Sequence, residues 1–186
     1  MKPPVFKNML DLDHSGLGQV VANGPKHFDL RDIFMNLAFM LSFKSTCHRG
    51  KAGCVIVKDK RIISVGYNGV PPKAEECIQK EKCREQGDKI KFSMNAWEQL
   101  REVEIQSDGC FDSLHAETNA FGFCAQNGIN TTGSMVYLTM SPCKSCAQLM
   151  VACGVKRIYF CDFSRTMDGL AYLKTYGVEA IQLNRS

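Results

Sequence analysis

The chain has 186 residues, of which 45% are hydrophobic and 23% charged, and its formal net charge is +4. This length suits one domain with a sizeable core, and scattered charges of this modest excess argue against a nucleic-acid-binding surface. No apolar run reaches the roughly 18 residues of a membrane span, and the N-terminus lacks the apolar segment of a secretory signal. Ten cysteines in such a chain favour a reduced, cytoplasmic protein whose thiols bind metal or pack in a core.

The first predicted element follows an irregular N-terminal arm, residues 1–27, which shows no sustained periodicity. Residues 28–186 are expected to form a single domain. Asp29 is a candidate cap for a helix over 30–44. Its predicted inner stripe consists of Ile33, Leu37, Met40 and Leu41.

Two short strands, 54–57 and 62–67, are predicted next, with residues 58–61 turning between them as a hairpin. The following segment, 71–112, is too long for a plain connection inside a compact domain, so we expect an insertion there. Within it, the spacing of Met94, Trp97, Leu100 and Val103 predicts a helix over 92–105.

The second half alternates helices and strands. A helix is expected next, with Asp112 or Ser113 as its N-terminal cap and Asn127-Gly128 as its stop. The later predicted elements are a strand over 135–139, a helix over 143–153, a strand over 157–161, a helix over 168–176 and a strand over 178–183. This alternation predicts a sheet covered by helices, with parallel final crossovers.

A metal-binding pattern begins at the first of these helices. His115-Ala116-Glu117 is followed, 28 positions after the histidine, by Cys143 in Pro142-Cys143-Lys144-Ser145-Cys146. The proline suits the start of a helix, whose positive N-terminal end favours thiolates at Cys143 and Cys146. The alternative is a helical histidine and two core cysteines without metal.

Three ligands from His115, Cys143 and Cys146 would leave the fourth tetrahedral position of a zinc ion open for water, as in catalytic sites. Zinc with two thiolates and a neutral imidazole has no net charge, and its water ionises near neutral pH. Glu117 projects from the same turn as His115 on another face, so it is free to move protons as a general base and acid.

The combination of H-x-E with P-C-x-x-C is the signature of zinc deaminases acting on cytosine or adenine. The chain resembles the cytidine deaminase superfamily over about residues 30–184, and the deoxycytidylate (dCMP) deaminase branch with its phage and late-competence-type members in particular. The motifs that carry this resemblance are Lys51-Ala52-Gly53, Gly66-Tyr67-Asn68-Gly69-Val70-Pro71, His115-Ala116-Glu117-Thr118-Asn119-Ala120 and Ser141-Pro142-Cys143 through Cys146.

The resemblance implies an α/β, three-layer fold with a central five-stranded mixed sheet flanked by helices. It implies hydrolytic deamination of dCMP, or of a 5-substituted dCMP, to dUMP and ammonia by zinc-activated water, with Glu117 as proton shuttle. It also implies that Asn68 holds the nucleoside sugar, although Asn68-Gly69 is equally an ordinary turn dipeptide. Lys51 and Arg165 are candidate phosphate contacts, and Asn119 is expected to anchor its helix.

Related deaminases place a second, structural zinc near the insertion, and the chain carries cysteines in similar places. The resemblance therefore implies a site formed by Cys47, Cys77, Cys83 and Cys110, with His48 as a substitute ligand. Four thiolates would explain order in an otherwise irregular stretch. The alternative is that these are unrelated free thiols.

Two other functions stay open at this point. One is a tRNA or single-stranded nucleic-acid deaminase with the same chemistry, which would need a basic channel with exposed aromatic residues. The other is a catalytically silent, zinc-stabilised nucleotide-binding protein, which retention of Glu117 disfavours. The expected partners are a small nucleotide substrate and further copies of the chain in a homo-oligomer, without membrane or nucleic acid.

Overall fold

The computed structural model describes residues 29–47, 50–71, 73–74, 89–93, 100–104 and 113–184, with the backbone alone in 89–93 and 100–104. The predicted arm, residues 1–27, lies outside the described residues. So do four of the residues proposed for a second zinc site: His48, Cys77, Cys83 and Cys110. None of the described helices combines the length and the apolar character that crossing a membrane requires.

The helices are α1 (Leu30–Ser42), α2 (Ala116–Gln126), α3 (Lys144–Ala152) and α4 (Asp168–Thr175). The strands are β1 (Gly53–Lys58), β2 (Arg61–Tyr67), β3 (Lys89–Ser93), β4 (Leu100–Glu104), β5 (Met135–Met140), β6 (Arg157–Asp162) and β7 (Glu179–Gln182). Outside the insertion, each predicted helix and strand is present, and its ends lie within about two residues of the expected bounds, except that α2 begins later than predicted.

Five strands form one mixed sheet in the order β2-β1-β5-β6-β7. The pairs β1–β2 and β1–β5 are antiparallel, whereas β5–β6 and β6–β7 are parallel. This arrangement confirms the predicted central sheet and the parallel direction of the last strands. Because Met140 pairs with Asp162 at the ends of β5 and β6, the loops that follow these two strands leave the sheet side by side.

Helices cover both faces of the sheet, as expected for a three-layer fold. On one face, α1 packs Phe34, Met35 and Ala38 against Val55 and Tyr137. On the other face, side chains of α2, α3 and α4 join the sheet in a second buried cluster, whose members include Ala120, Met150, Leu173, Cys54 and Ile158.

The inner face of α1 differs from the predicted stripe. Ile33 and Met40 are 45% and 46% exposed, and Leu37 and Leu41 are only half-buried. The sheet-facing residues are Phe34, Met35, Ala38 and Ser42. The helix turns this side to the sheet because it approaches β1 closely at Ala38, whose carbonyl oxygen would lie 1.9 Å from a Cβ atom on Gly53. Because apolar residues lie on two sides of α1, the sequence alone did not determine which side faces the sheet.

The predicted helix over 92–105 is wrong. The described parts of this stretch belong to an antiparallel two-stranded sheet, β3 with β4. Its register places Lys89 opposite Glu104 and Lys91 opposite Glu102. The sequence signal was the alternation of charged and apolar residues at 89–92, which has the period of a strand rather than that of a helix.

The predicted hairpin turn between β1 and β2 is confirmed. Asp59 and Lys60 both have positive φ angles, 50° and 61°. Two such residues in a two-residue loop are typical of the tight turn that matches the twist of antiparallel strands.

Candidate active site

The histidine and the glutamate of the motif occupy the start of α2. His115 is the residue before the helix, with extended φ and ψ angles of −70° and 154°, and its side chain makes no capping hydrogen bond. Glu117 lies in the first turn and is 7% exposed. The helix therefore begins later than predicted, and Ser113 does not cap it, since its hydroxyl donates to the carbonyl oxygen of Leu114.

The segment before His115 is held by the strand hairpin. Gly69 and Leu114 exchange two backbone hydrogen bonds, of 3.1 and 2.8 Å. Further along α2, the Nδ2 atom of Asn119 donates to the carbonyl oxygen of Tyr67 over 3.1 Å, which agrees with the anchoring role expected for it. The residues at the end of β2 thus fix the backbone around His115 and Glu117, and with it the direction in which the two side chains project.

The two cysteines of the motif occupy the start of α3. Cys143 is the N-terminal capping residue and is half-buried, and Cys146 lies in the first turn and is buried. Pro142 stands one position before the cap rather than in the first helical turn as predicted. Both sulfur atoms therefore lie at the positive end of the helix, as the spacing predicted.

The structure brings His115, Cys143 and Cys146 together. The Nδ1 atom of His115 lies 3.5 Å from the sulfur of Cys143 and 3.3 Å from that of Cys146. Tetrahedral zinc with Zn–S of about 2.3 Å and Zn–N of about 2.05 Å would separate nitrogen and sulfur by about 3.6 Å. The three side chains thus fit zinc, and they form the metal-ligand group found among the described residues.

The thiols of this group are strongly coupled. Hydrogen bonding by Cys146 and by His115 lowers the pKa of Cys143 to about 3. The hydrogen bond to Cys143 and burial raise the pKa of Cys146. Without metal the two cysteines therefore share a proton, with Cys143 as the thiolate. Zinc needs both thiolates, so its binding displaces that proton.

Glu117 is a buried carboxyl beside the three ligands and is not one of them. Burial raises its pKa, while the nearby His115 and a hydrogen bond from Cys146 act in the opposite direction. A carboxyl whose pKa is raised toward neutrality exchanges protons more readily than an exposed one. The arrangement can therefore support proton transfer next to a three-ligand metal site.

Asn68 lies at the end of β2, where its side chain ties two backbone groups of the segment before β1. Its Oδ1 atom accepts from the amide of Ala52 over 2.8 Å, and its Nδ2 atom donates to the carbonyl oxygen of Gly50 over 2.9 Å. Sequence reasoning missed this bracing role. Lys51, which lies between the two braced residues, is exposed, and so is Arg165 in the loop after β6.

Of the residues proposed for the structural zinc, the structure describes Cys47. It is buried, and its amide donates to the hydroxyl of Ser45. Sequence reasoning also missed a pair of serines, Ser141 and Ser164, that joins the ligand loop to the loop after β6. Their separation of 23 residues left no signal in the local pattern.

The family model for the cytidine and deoxycytidylate deaminase zinc-binding region matches residues 30–162. The chain belongs to this deaminase family. The matched range contains the three metal ligands, Glu117 and all but one of the strands of the central sheet. It also contains the insertion between β2 and α2.

Individual members of the deaminase family agree with this assignment. The deoxycytidylate deaminase of Enterobacteria phage T4 is 33% identical over 147 residues, which are 69% of this chain and 75% of the phage protein. ComE operon protein 2 of Bacillus subtilis is 31% identical over 133 residues, 72% of this chain and 59% of the bacterial protein. The crystal structure of dCMP deaminase from cyanophage S-TIM5 in complex with dCMP and dUMP superposes with a TM-score of 0.65 at 27% identity, covering 84% of this chain and all of the phage chain.

Proposed function

We propose that this deaminase hydrolyses dCMP to dUMP, or a 5-substituted dCMP to the correspondingly substituted dUMP, with release of ammonia. One observation carries the proposal: His115, Cys143 and Cys146 form a three-ligand group with the unligated carboxyl of Glu117 buried beside it. The choice of dCMP is supported by the phage T4 relative and by the cyanophage enzyme that binds dCMP and dUMP.

His115, Cys143 and Cys146 would hold the zinc ion, with Nδ1 as the imidazole ligand atom because that nitrogen faces both sulfurs. Zinc bound in such a site acts as a Lewis acid that lowers the pKa of water to about 7. The position of Cys143 and Cys146 at the start of α3 stabilises the thiolate forms.

Glu117 is proposed to move the protons. The carboxylate accepts a proton from the attacking water and delivers it to N3 of the pyrimidine. Once the water oxygen has bonded to C4, the carboxylate takes the second proton from that hydroxyl group and gives it to the amino nitrogen. The bond from C4 to this nitrogen then breaks, ammonia leaves, and the oxygen on C4 becomes the carbonyl of the product. Burial suits this role, because a raised pKa brings the carboxyl closer to the protonation range of its partners.

The substrate contacts are proposed to be Asn68 for the sugar and Lys51 and Arg165 for the phosphate. An amide has two donor hydrogens and two acceptor lone pairs, so the two hydrogen bonds of Asn68 leave capacity for a sugar hydroxyl. Both cations are exposed, which lets them reach a phosphate in solvent.

A panel assay of ammonia release tests the function. The zinc-loaded protein would be given dCMP, 5-hydroxymethyl-dCMP, dCTP, deoxycytidine and a cytosine-containing RNA oligonucleotide. We expect turnover of dCMP or of its 5-substituted form to exceed that of the others. Preferred deamination of the oligonucleotide, with binding that weakens steeply as the salt concentration rises, would instead support a tRNA or single-stranded nucleic-acid deaminase. No turnover of any substrate would support the silent nucleotide-binding protein.

We further propose that Cys47, Cys77, Cys83 and Cys110 bind a structural zinc, with His48 as the substitute ligand. The buried position of Cys47 between α1 and β1 suits a ligand that joins the insertion to the sheet. Metal analysis of fully loaded protein tests this: two zinc ions per chain are expected, falling to one in Cys47→Ser. One ion per chain in the wild type would refute the second site.

We also propose that the protein forms a homo-oligomer in the cytoplasm. Leu30, Ile33 and Met40 on α1 are exposed large hydrophobic residues, and Leu37 between them is half-buried. Their 3-4-3 spacing is that of a helix seam that packs against a second helix. The need for reduced cysteines at the metal site supports a reducing compartment.

A further inference from the structure

Two loops meet at the carboxyl edge of the parallel strands. The ligand loop after β5 carries Cys143, and the loop of residues 163–167 connects β6 with α4. They are neighbours because β5 and β6 are parallel and adjacent, with Met140 opposite Asp162. In open α/β sheets, ligands bind in the crevice beyond such strand ends, so this edge faces the substrate.

A hydrogen-bond chain joins the two loops. Ser141, which is 3% exposed, accepts the amide hydrogen of Ser164 at its hydroxyl over 2.8 Å. The same hydroxyl donates to the hydroxyl of Ser164 over 3.1 Å, which in turn donates to the carbonyl oxygen of Thr166 over 2.7 Å. Each hydroxyl has one hydrogen to donate, so the hydrogen bonds run in one direction, from Ser141 through Ser164 to Thr166, and use both hydroxyl hydrogens. We call Ser141 and Ser164 the serine pair.

The serine pair is one attachment of the 163–167 loop, and the ring of Phe163, 5.4 Å from that of Phe160, is another. At the far end, α4 rests on the ligand loop, since a Cβ atom on Gly169 would lie 1.9 Å from the carbonyl oxygen of Pro142. The backbone amide of Ser141 also donates to the carbonyl oxygen of Asp162 over 2.7 Å. Between these attachments the loop presents the exposed residues Arg165, Thr166 and Met167.

We infer that Ser141 is a positioning residue, which acts on the substrate through the 163–167 loop rather than by contact. This inference rests on the proposed function, because it assigns the loop to the nucleotide. The serine pair holds the loop at a set distance from Cys143, two residues further along the chain. It thereby couples the nucleotide contact to the position of the metal centre.

Loss of the Ser141 hydroxyl should therefore weaken nucleotide binding without slowing the chemical step. Removing the Ser141 hydroxyl leaves its backbone bond to Asp162 and the Gly169–Pro142 contact in place, so Cys143 keeps its position. The loop loses the bond that orders its first residues. The KM for dCMP should therefore rise about 10-fold, with kcat changed less than about twofold.

The chain offers a matched control for Ser141→Ala. Ser134 stands just before the same strand, β5, at its opposite end, and it is 0% exposed. Its hydroxyl is the buried side-chain polar atom without a hydrogen-bond partner among the described residues. Ser134→Ala thus makes the same chemical change in a similarly buried place without touching the 163–167 loop.

The experiment combines hydrogen–deuterium exchange of residues 163–167 with steady-state kinetics and zinc analysis of the full-length protein. In Ser141→Ala and in Ser164→Ala we expect exchange about 10-fold faster in that loop, a higher KM and unchanged zinc content. Ser134→Ala should match the wild type. Ser164→Thr retains the hydroxyl that Ser164→Ala removes, so it should keep the wild-type loop protection and KM. The comparison of these two variants tests the inference if Ser141→Ala does not fold.

Unchanged loop exchange, or faster exchange with an unchanged KM, would overturn the inference. Loss of zinc and kcat at constant KM would also overturn it, because that result would assign Ser141 to the metal site. A wild type inactive on every cytosine substrate would instead contradict the proposed function, and loop exchange with equilibrium binding of dUMP would then decide the inference.

Discussion

Gly66 on β2 lies so close to α2 that a Cβ atom on this glycine would stand 2.3 Å from the carbonyl oxygen of Ala116. Ala116 is the residue between His115 and Glu117, so this contact sets the distance between the start of α2 and the sheet. The hydroxyl of Ser64, two residues earlier on the same strand face, donates to the carbonyl oxygen of Ala120 over 2.8 Å. The strand and the helix therefore meet closely from Ala116 to Ala120, about one turn of α2.

We predict that Gly66→Ala destabilises the protein and weakens zinc retention. The added methyl group must push α2 outward, and overpacking of this kind typically costs about 1–3 kcal/mol. Gly122→Ala is the matched control, since nothing lies within 4 Å of a Cβ atom at this position on the same helix. It should stabilise by about 0.5–1 kcal/mol. Denaturant unfolding of the zinc-loaded proteins measures the stability of both variants, and equal stability would contradict the prediction.

Glu117→Gln should retain zinc and lose activity. The amide keeps the size of the buried side chain but cannot accept and return a proton, so kcat should fall about 10²- to 10⁴-fold. Glu179→Gln makes the same change at an exposed position on β7 and should keep full activity. Metal analysis beside the ammonia assay separates loss of chemistry from loss of the ion. Substantial turnover by zinc-loaded Glu117→Gln would remove the carboxyl from the mechanism.

Cys146→Ser should lose zinc and, with it, stability, because the metal joins the first turns of α2 and α3. Cys153→Ser changes a half-buried cysteine just beyond the other end of α3 that is outside the metal-ligand group, so its zinc content should stay as in the wild type. Thermal unfolding with and without a chelator should show a smaller chelator effect in Cys146→Ser, which can lose only the structural zinc, than in Cys153→Ser. Full zinc occupancy in Cys146→Ser would show that this thiol is not a ligand.

Zinc affinity should fall as pH falls. Cys146 has a raised pKa in the metal-free protein, so zinc must displace its proton, and acid drives this exchange backwards. Each proton displaced weakens the apparent affinity about 10-fold per pH unit. Competition with a chelator at pH 7.5 and 5.5 measures this change. The same affinity at both pH values would mean that no proton is displaced.

Ile33→Lys should lower the molecular mass of the particle in solution. The charge lies in the exposed seam of α1, where a second copy is proposed to pack, and burying it there is costly. Asp32→Lys places the same side chain on the neighbouring exposed position outside the seam. Light scattering coupled to size exclusion gives both masses. A wild type that is already monomeric would contradict the homo-oligomer.

The sequence predicted the metal-ligand group of His115, Cys143 and Cys146 well, because it lies in two short motifs that each mark a helix start. A histidine at one helix start and two cysteines at another allow few arrangements once each helix is placed, and the strand and helix periodicities placed them. The hairpin turn at Asp59 and Lys60 and the parallel final strands followed from equally local patterns. These features follow from short motifs and periodicities, even though His115 and Cys143 stand 28 positions apart.

Other features were decided by contacts between distant residues. The side of α1 that faces the sheet depends on Gly53, which leaves room for Ala38, and both sides of the helix carry apolar residues. The role of the serine pair depends on two strands lying in parallel, which brings together residues 23 positions apart. Periodicity reports which side chains share a face of one element. The element that this face meets, and how closely, is set by tertiary packing alone.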